Sequence, residues 1–202
     1  MAVLQALIPQ VLATRIIPRV DPPLAAAYNF DGEALPSVAL ITCDMDDALY
    51  TALDEATKQA PVEVVFARSL YAGSGFPSGP TSGEILGVLA AADPDDVERG
   101  LAACITCLEQ EAHFYSADES GQTAFFPHVI SSLGTYLSKD AGLKPGDPMA
   151  YLIATPLEAI YGLDAALKAA DVRLVKSFAP PTETNFAGGY LAGNLESCEA
   201  AA

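Results

Sequence analysis

Residues 54–65 read DEATKQAPVEVV, and residues 164–175 read DAALKAADVRLV. The two stretches align without a gap and are identical at six of twelve positions. Self-similarity of this kind is the sequence signature of an internal repeat. It predicts two homologous domains in one chain, the first covering residues 1–115 and the second covering residues 116–202.

Shorter matches flank this pair in the same order. ALIT at 39–42 resembles YLIA at 151–154, PQVL at 9–12 resembles PHVI at 127–130, and GEIL at 83–86 resembles GGYL at 188–191. The duplication therefore extends over most of the chain.

Each half has the pattern of a mixed α+β domain. Runs rich in Val, Ile and Leu predict strands, and stretches with helical spacing behind an acidic or proline start predict helices. In the first half these are strands 10–20, 37–43, 62–71 and 82–91 and helices 46–60 and 93–110. In the second half they are strands 128–137, 149–155, 172–179 and 187–193, helix 156–170, and a short last helix from residue 195.

Composition narrows the function. The 202 residues are 51% hydrophobic, which is enough for a large core, and 26 acidic against 10 basic residues give a net charge of −16. Such a charge repels nucleic acids and anionic lipids, and no apolar run reaches the ~18 residues of a membrane-spanning helix. We expect a cytoplasmic protein with neutral or cationic partners. Because only 18% of residues are charged, we also expect much of its surface to be buried against other subunits.

Several motifs carry a family resemblance: SVALITCDMDD at 37–47, DEATKQA at 54–60, ARSLYAG at 67–73, GDPMAYL at 146–152 and PPTETNF at 180–186. With these, the chain resembles the tandem-domain bacterial microcompartment shell proteins of the ethanolamine-utilisation type. The resemblance implies two circularly permuted microcompartment domains, each a ferredoxin-like α/β sandwich. It also implies a homotrimer that imitates a hexamer and packs edge to edge with other shell proteins.

An acidic cluster is present in only one half. Asp44 and Asp46 lie between a predicted strand and helix where the second half reads ATP at 154–156, so the fold itself needs no carboxylates there. Glu84, in turn, aligns with Gly189. Carboxylates grouped in this way would form an anionic throat that attracts a primary ammonium ion. The alternative interpretation, that acids at a helix start act as caps, applies most directly to Asp47.

The resemblance also implies a pore lined in part by this acidic cluster. It implies that a small pore lies between the two halves of each subunit and that its lining contacts an amino alcohol such as ethanolamine. The implied lining residues are Asp46, Glu84, Phe114 and Thr184, with Asn185 and Phe186 adjacent. An aromatic ring such as Phe114 can stabilise a cation across its face, although core packing is the alternative role for such a residue.

The segment AGSGFPSGP at 72–80 predicts an irregular loop. Glycine lets a backbone adopt more than one conformation, which a gate needs, although ordinary surface loops are equally rich in glycine and proline. The resemblance implies that loops at this place surround a threefold axis and open or close a larger central pore for bulkier molecules such as cofactors. The gate residues so predicted are Tyr71, Gly73, Gly75, Phe76 and Gly79.

No catalytic constellation is evident. Cys104 and Cys107 form a CxxC inside a predicted helix, and His113 and His128 lack companions at metal-ligand or catalytic spacing. We therefore expect a non-enzymatic shell protein with no metal and no cofactor. A small-molecule sensor that uses the cleft between the repeats is the alternative, and an enzyme using Asp46 and Glu84 in acid–base chemistry ranks third.

Overall fold

The computed structural model describes residues 4–70, 85–119, 123–180 and 185–202. The strands in these ranges are β1 (Gln5–Leu7), β2 (Val11–Ile17), β3 (Ser37–Cys43), β4 (Glu63–Ser69), β5 (Ile85–Ala91), β6 (Phe114–Ser116), β7 (Ala124–Ile130), β8 (Met149–Ala154), β9 (Arg173–Phe178) and β10 (Ala187–Ala192). The helices are α1 (Pro22–Ala27), α2 (Asp46–Gln59), α3 (Pro94–Gln110), α4 (Thr135–Ala141), α5 (Pro156–Ala169) and α6 (Leu195–Ala201).

Contacts divide the chain into two compact units. The N-terminal unit comprises Pro9–Ala112 and Gly134–Tyr136, and the C-terminal unit comprises Met1–Ile8, His113–Leu133 and Leu137–Ala202. The domain boundary between residues 115 and 116 stays a prediction.

Each unit contains one antiparallel sheet. The sheet of the N-terminal unit has the strand order β2-β3-β5-β4, and that of the C-terminal unit has the order β1-β6-β7-β8-β10-β9. The first order recurs in the second sheet as β7-β8-β10-β9, with α2 and α5 following equivalent strands. The predicted α+β repeat is therefore confirmed, and the short strands β1 and β6 extend its second copy.

Strand pairing corrects one of the short sequence matches. Ile41 of β3 pairs with Gly87 of β5, and Ile153 of β8 pairs with Gly188 of β10. Since the two isoleucines occupy the same place in the repeat, Gly188 corresponds to Gly87. The predicted match of GEIL with GGYL is therefore wrong, and Gly189 corresponds to Val88 rather than to Glu84.

A second short match is also displaced. Ile41 pairs on its other side with Thr14, and Ile153 pairs with Phe126. Thr14 therefore corresponds to Phe126, which shifts PQVL away from PHVI. The match is wrong because pairing with β3, and not the local likeness of four residues, sets the register of β2.

One predicted strand is partly a helix. The strand expected over residues 128–137 ends at Ile130, and α4 begins at Thr135. Leu133, Leu137 and Ala141 are buried at four-residue spacing, which is the period of a helix face. The helix α1 was not predicted either, because its short alanine- and proline-rich sequence has little periodicity.

The helical layer differs between the units. In the N-terminal unit α2 packs against α3, whose N-cap residue Asp93 accepts a hydrogen bond from the backbone N–H of Asp95 at 2.9 Å. In the C-terminal unit α5 packs against α6, which has 7 residues where α3 has 17. The expected short last helix is confirmed.

No helix in the described part of the chain is long and apolar enough to cross a membrane.

Candidate functional site

The acidic residues predicted for the site lie where β3 leads into α2. Asp44 precedes the helix and is half-buried, and its Oδ1 accepts the backbone N–H of Gln10 at 2.8 Å. Asp46 is the first residue of α2, and its Oδ1 accepts the N–H of Asp47 at 2.9 Å. The N-terminal unit therefore brings two carboxylates to one junction, at the positive end of a helix.

A polar chain connects Asp46 to the end of β4. The hydroxyl of Ser69 donates to Asp46 Oδ2 at 2.7 Å, and Tyr50 Oη lies 2.9 Å from the same hydroxyl. The Ser69 N–H donates to Tyr50 Oη at 3.0 Å. Burial raises the pKa of Tyr50 above its usual range, and the nearby charge of Asp46 raises it further. Ser69 and Tyr50 were missed in the sequence because Ser69 lies 23 residues from Asp46.

Asp47 lies in the first turn of α2 and is not its N-cap residue. The N-cap residue of α2 is Met45, without a side-chain cap bond, and Asp47 is buried in the first turn. The equivalent helix α5 begins with Pro156 behind Thr155, also without a side-chain cap bond. The fold thus tolerates the absence of acids at this junction.

The aromatic residues predicted for the site meet in the C-terminal unit. Phe114 of β6 is buried, stacks on Phe126 with ring centroids 4.8 Å apart, and meets the edge of Phe186 at 6.1 Å. Asn185, next to Phe186, is exposed and has a positive φ of 61°. The structure therefore brings Phe114 and Phe186 together, with most of the Phe114 ring packed in the core.

Seven other predicted site residues lie outside the described residues: Glu84, Thr184, Tyr71, Gly73, Gly75, Phe76 and Gly79. Asp44 and Asp46 belong to one unit, whereas Phe114, Asn185 and Phe186 belong to the other. A single pore lined by both groups stays a prediction.

Comparison with known proteins finds relatives along almost the whole chain. The chain is 49% identical over 193 residues to the bacterial microcompartment shell protein EutL of Clostridium perfringens, covering 96% of this chain and 88% of the relative. It is 47% identical over 201 residues to EutL of Salmonella typhimurium, covering 100% and 91%. The chain belongs to the EutL family of bacterial microcompartment shell proteins.

The three-dimensional comparison agrees with this membership. The structure superposes on the ethanolamine utilization protein EutL from Leptotrichia buccalis with a TM-score of 0.94 at 48% identity, covering 98% of this chain and 91% of the other. No family model matches the sequence. Members of the EutL family are shell proteins, so this chain is a structural component of a microcompartment shell and not an enzyme.

The cysteines of this EutL-family chain are all buried and unpaired. Burial raises the pKa of Cys43 and of Cys107 to about 12, and raises that of Cys104 as well. Thiols with such pKa values are poor nucleophiles at neutral pH. Among the residues that the structure describes, no group of three or more His, Cys, Asp or Glu could hold a metal ion.

The C-terminal unit also has a mainly apolar pocket of about 270 Å³. It lies between β7, β8, α5 and the end of α6, and Glu158 is the ionisable residue of its lining. One carboxylate among apolar groups lacks the partners that acid–base or nucleophilic chemistry needs. The pocket therefore has no catalytic constellation.

Proposed function

We propose that three copies of this chain close into a flat ring of six domains in the shell of an ethanolamine-utilisation microcompartment. Membership of the EutL family carries this proposal, because its relatives are named shell proteins and one is named for ethanolamine utilization. The repeat supports it, since two copies of one fold in each chain give three chains six similar domains. Edge-to-edge packing with other shell proteins completes the wall.

The small pore of each subunit attracts a primary amine such as ethanolamine. Asp44 and Asp46 supply negative charge at the start of α2, and Glu84 adds a third carboxylate. The edge contact between Phe114 and Phe186 leaves aromatic surface beside Asn185, and Thr184 adds a hydroxyl. Charge-assisted hydrogen bonds and cation–π contacts both favour an ammonium group over neutral solutes.

The larger pore lies on the threefold axis and is gated by residues 71–80. Tyr71, Gly73, Gly75, Phe76 and Gly79 belong to this segment, which follows β4 directly. The glycine content supports two loop conformations. The open conformation admits molecules too bulky for the acidic pores, such as cofactors.

Calorimetric titration with ethanolamine tests the acidic pore. Asp46→Ala and Glu84→Ala are each expected to weaken binding at least about tenfold, since a hydrogen bond to a charged group contributes about 1.5–3 kcal/mol. Asp95→Ala is the matched control, because it removes an exposed acid from the first turn of α3. Unchanged affinity in the Asp46 and Glu84 variants would remove these residues from the pore.

A further inference from the structure

In the N-terminal unit, one face of α2 is covered by the segment Gly134–Tyr136. Asp54 Oδ2 accepts the N–H of Gly134 at 2.6 Å, and Asp54 Oδ1 accepts the N–H of Tyr136 at 3.1 Å. The Thr57 hydroxyl accepts the N–H of Thr135 at 3.0 Å. A Cβ on Gly134 would overlap the Thr57 hydroxyl oxygen, so only glycine allows this approach.

The contact includes side chains along the same face. The ring of Tyr50 stacks on that of Tyr136, with centroids 6.4 Å apart, and Asp47 and Thr51 are buried. The α2 docking face consists of Asp47, Tyr50, Thr51, Asp54 and Thr57. It is polar at every position, which suits a segment that presents backbone N–H groups.

The equivalent face of α5 is exposed to solvent. Both helices have 14 residues, and the repeat aligns them from the first residue to the last. The α5 docking face therefore consists of Leu157, Ile160, Tyr161, Asp164 and Leu167. Leu157 is 81% exposed, Ile160 63% and Tyr161 75%. Large apolar side chains grouped on one exposed face mark an interaction surface.

In the first repeat, the start of α1 corresponds to the segment that covers α2. The helices α1 and α4 follow the equivalent strands β2 and β7. Because α1 begins with Pro22 and Pro23, which have no backbone N–H, it cannot repeat the hydrogen bonds that Asp54 and Thr57 accept. Leu24 follows and is 44% exposed. The start of α1 is thus an exposed apolar segment.

The two changes complement each other. Where the start of α1 lacks backbone donors, the helix face loses the acceptor Thr57, which Leu167 replaces. The helix face also becomes more apolar where Ile160 replaces Tyr50. Asp164, the counterpart of Asp54, forms an ion pair with Lys168 on its own helix instead. We infer that the α5 docking face of one copy receives the start of α1 of a second copy, with Ile160 against Pro23 and Leu24.

A second copy of the chain is the occupant because both sides of the contact are present on every chain. The contact is heterologous, so each copy offers α5 to one neighbour and α1 to the next. Such contacts form a ring when the rotation closes, and three copies of a two-domain chain give six alternating junctions. This inference rests on the proposed trimer and names the surfaces that build it.

Cross-linking tests the contact directly. The variant carrying both Leu24→Cys and Ile160→Cys, treated with a short bis-maleimide, is expected to give species of two and three covalently joined chains. The four native cysteines are buried, so the reagent reacts with the introduced pair. The control pairs Leu24→Cys with Leu195→Cys, since Leu195 is 40% exposed on α6. Cross-linking no greater than in this control would overturn the inference.

A charge at the contact gives a second readout. Ile160→Glu is expected to raise the trimer dissociation constant about tenfold or more, because the contact would bury an unpaired carboxylate. Adding Leu24→Lys is expected to restore most of the loss. Leu195→Glu introduces the same charge at an exposed apolar residue outside the contact and is expected to assemble like the wild type. If the Ile160→Glu variant stays trimeric on dilution like the wild type, the contact is overturned but the trimer is not. A wild type that is monomeric overturns both.

Discussion

Helices α2 and α5 are two copies of one element with opposite surroundings. Asp54 of α2 has no exposed surface, whereas its counterpart Asp164 on α5 has a side chain that is 62% exposed. The two helices are identical at four of fourteen aligned positions, and these include both of the carboxylates. The comparison shows that duplication preserved the frame while the outer face of each helix adapted to a different neighbour.

The largest expected effect is a difference in the free energy of unfolding between variants of these two aspartates. Asp54→Ala leaves two backbone N–H groups buried without an acceptor, and we expect a loss of about 3 kcal/mol in the free energy of unfolding. Asp164→Ala removes only an exposed ion pair and is expected to change stability by less than about 0.5 kcal/mol. Urea unfolding at one protein concentration measures both. Equal losses of stability in the two variants would contradict the different surroundings of Asp54 and Asp164.

The second largest expected effect comes from a substitution at Gly134, which contacts α2. Gly134→Ala places a Cβ against the carbonyl oxygen of Asp54, closer than van der Waals contact allows, and we expect about 1–3 kcal/mol of destabilisation from the overlap. Gly142→Ala is not a suitable control, because the positive φ of 67° at Gly142 adds strain of its own. Thermal unfolding alongside the wild type measures the loss, and an unchanged melting temperature would contradict the close approach.

Gly162 of α5 gives a prediction of the opposite sign, namely a gain in stability. Gly162 lies inside α5, where an added Cβ would have no neighbouring atom within 4 Å, and its counterpart in α2 is the buried Ala52. Gly162→Ala is therefore expected to stabilise the chain by about 0.5–1 kcal/mol through helix propensity. The same urea titration measures the change in the free energy of unfolding. A destabilised variant would contradict the open space beside Gly162.

The smallest effect concerns the start of the two helices. Asp46 raises the pKa of Tyr50, whereas α5 has Pro156 at the equivalent position and no such charge. Asp46→Asn is expected to lower the pKa of Tyr50, because a neutral amide no longer opposes the tyrosinate. Ultraviolet titration measures the shift, with Asp44→Asn as the matched control. A pKa that stays the same or rises in the Asp46 variant would contradict the polar chain through Ser69.

The sequence alone was sufficient to predict the repeated α+β fold. The duplicated stretch at 54–65 and the apolar strand runs predicted the α+β repeat, because strand burial and helix periodicity are local properties. Register was harder to predict, since a likeness of four residues does not determine which residues pair across a sheet. The helix α4 was missed because its few apolar residues also fit a strand.

The candidate site was predictable only in part. Asp44 and Asp46 could be singled out because the second repeat lacks acids at the same junction. Tyr50 and Ser69 gave no such signal, since their bond depends on how β4 lies beside α2. The partner of Asp54 was equally hidden, because Gly134 lies 80 residues away along the chain. Contacts of that kind come from topology and not from local pattern.

The mass of the assembled protein tests the central claim most directly. Multi-angle light scattering on the purified full chain, followed over a dilution series, is expected to give the mass of three chains of 21.0 kDa each. Three copies are what six domains and the head-to-tail contact through α5 and α1 require. A mass of one chain at every concentration would contradict the threefold ring and the shell function proposed from it.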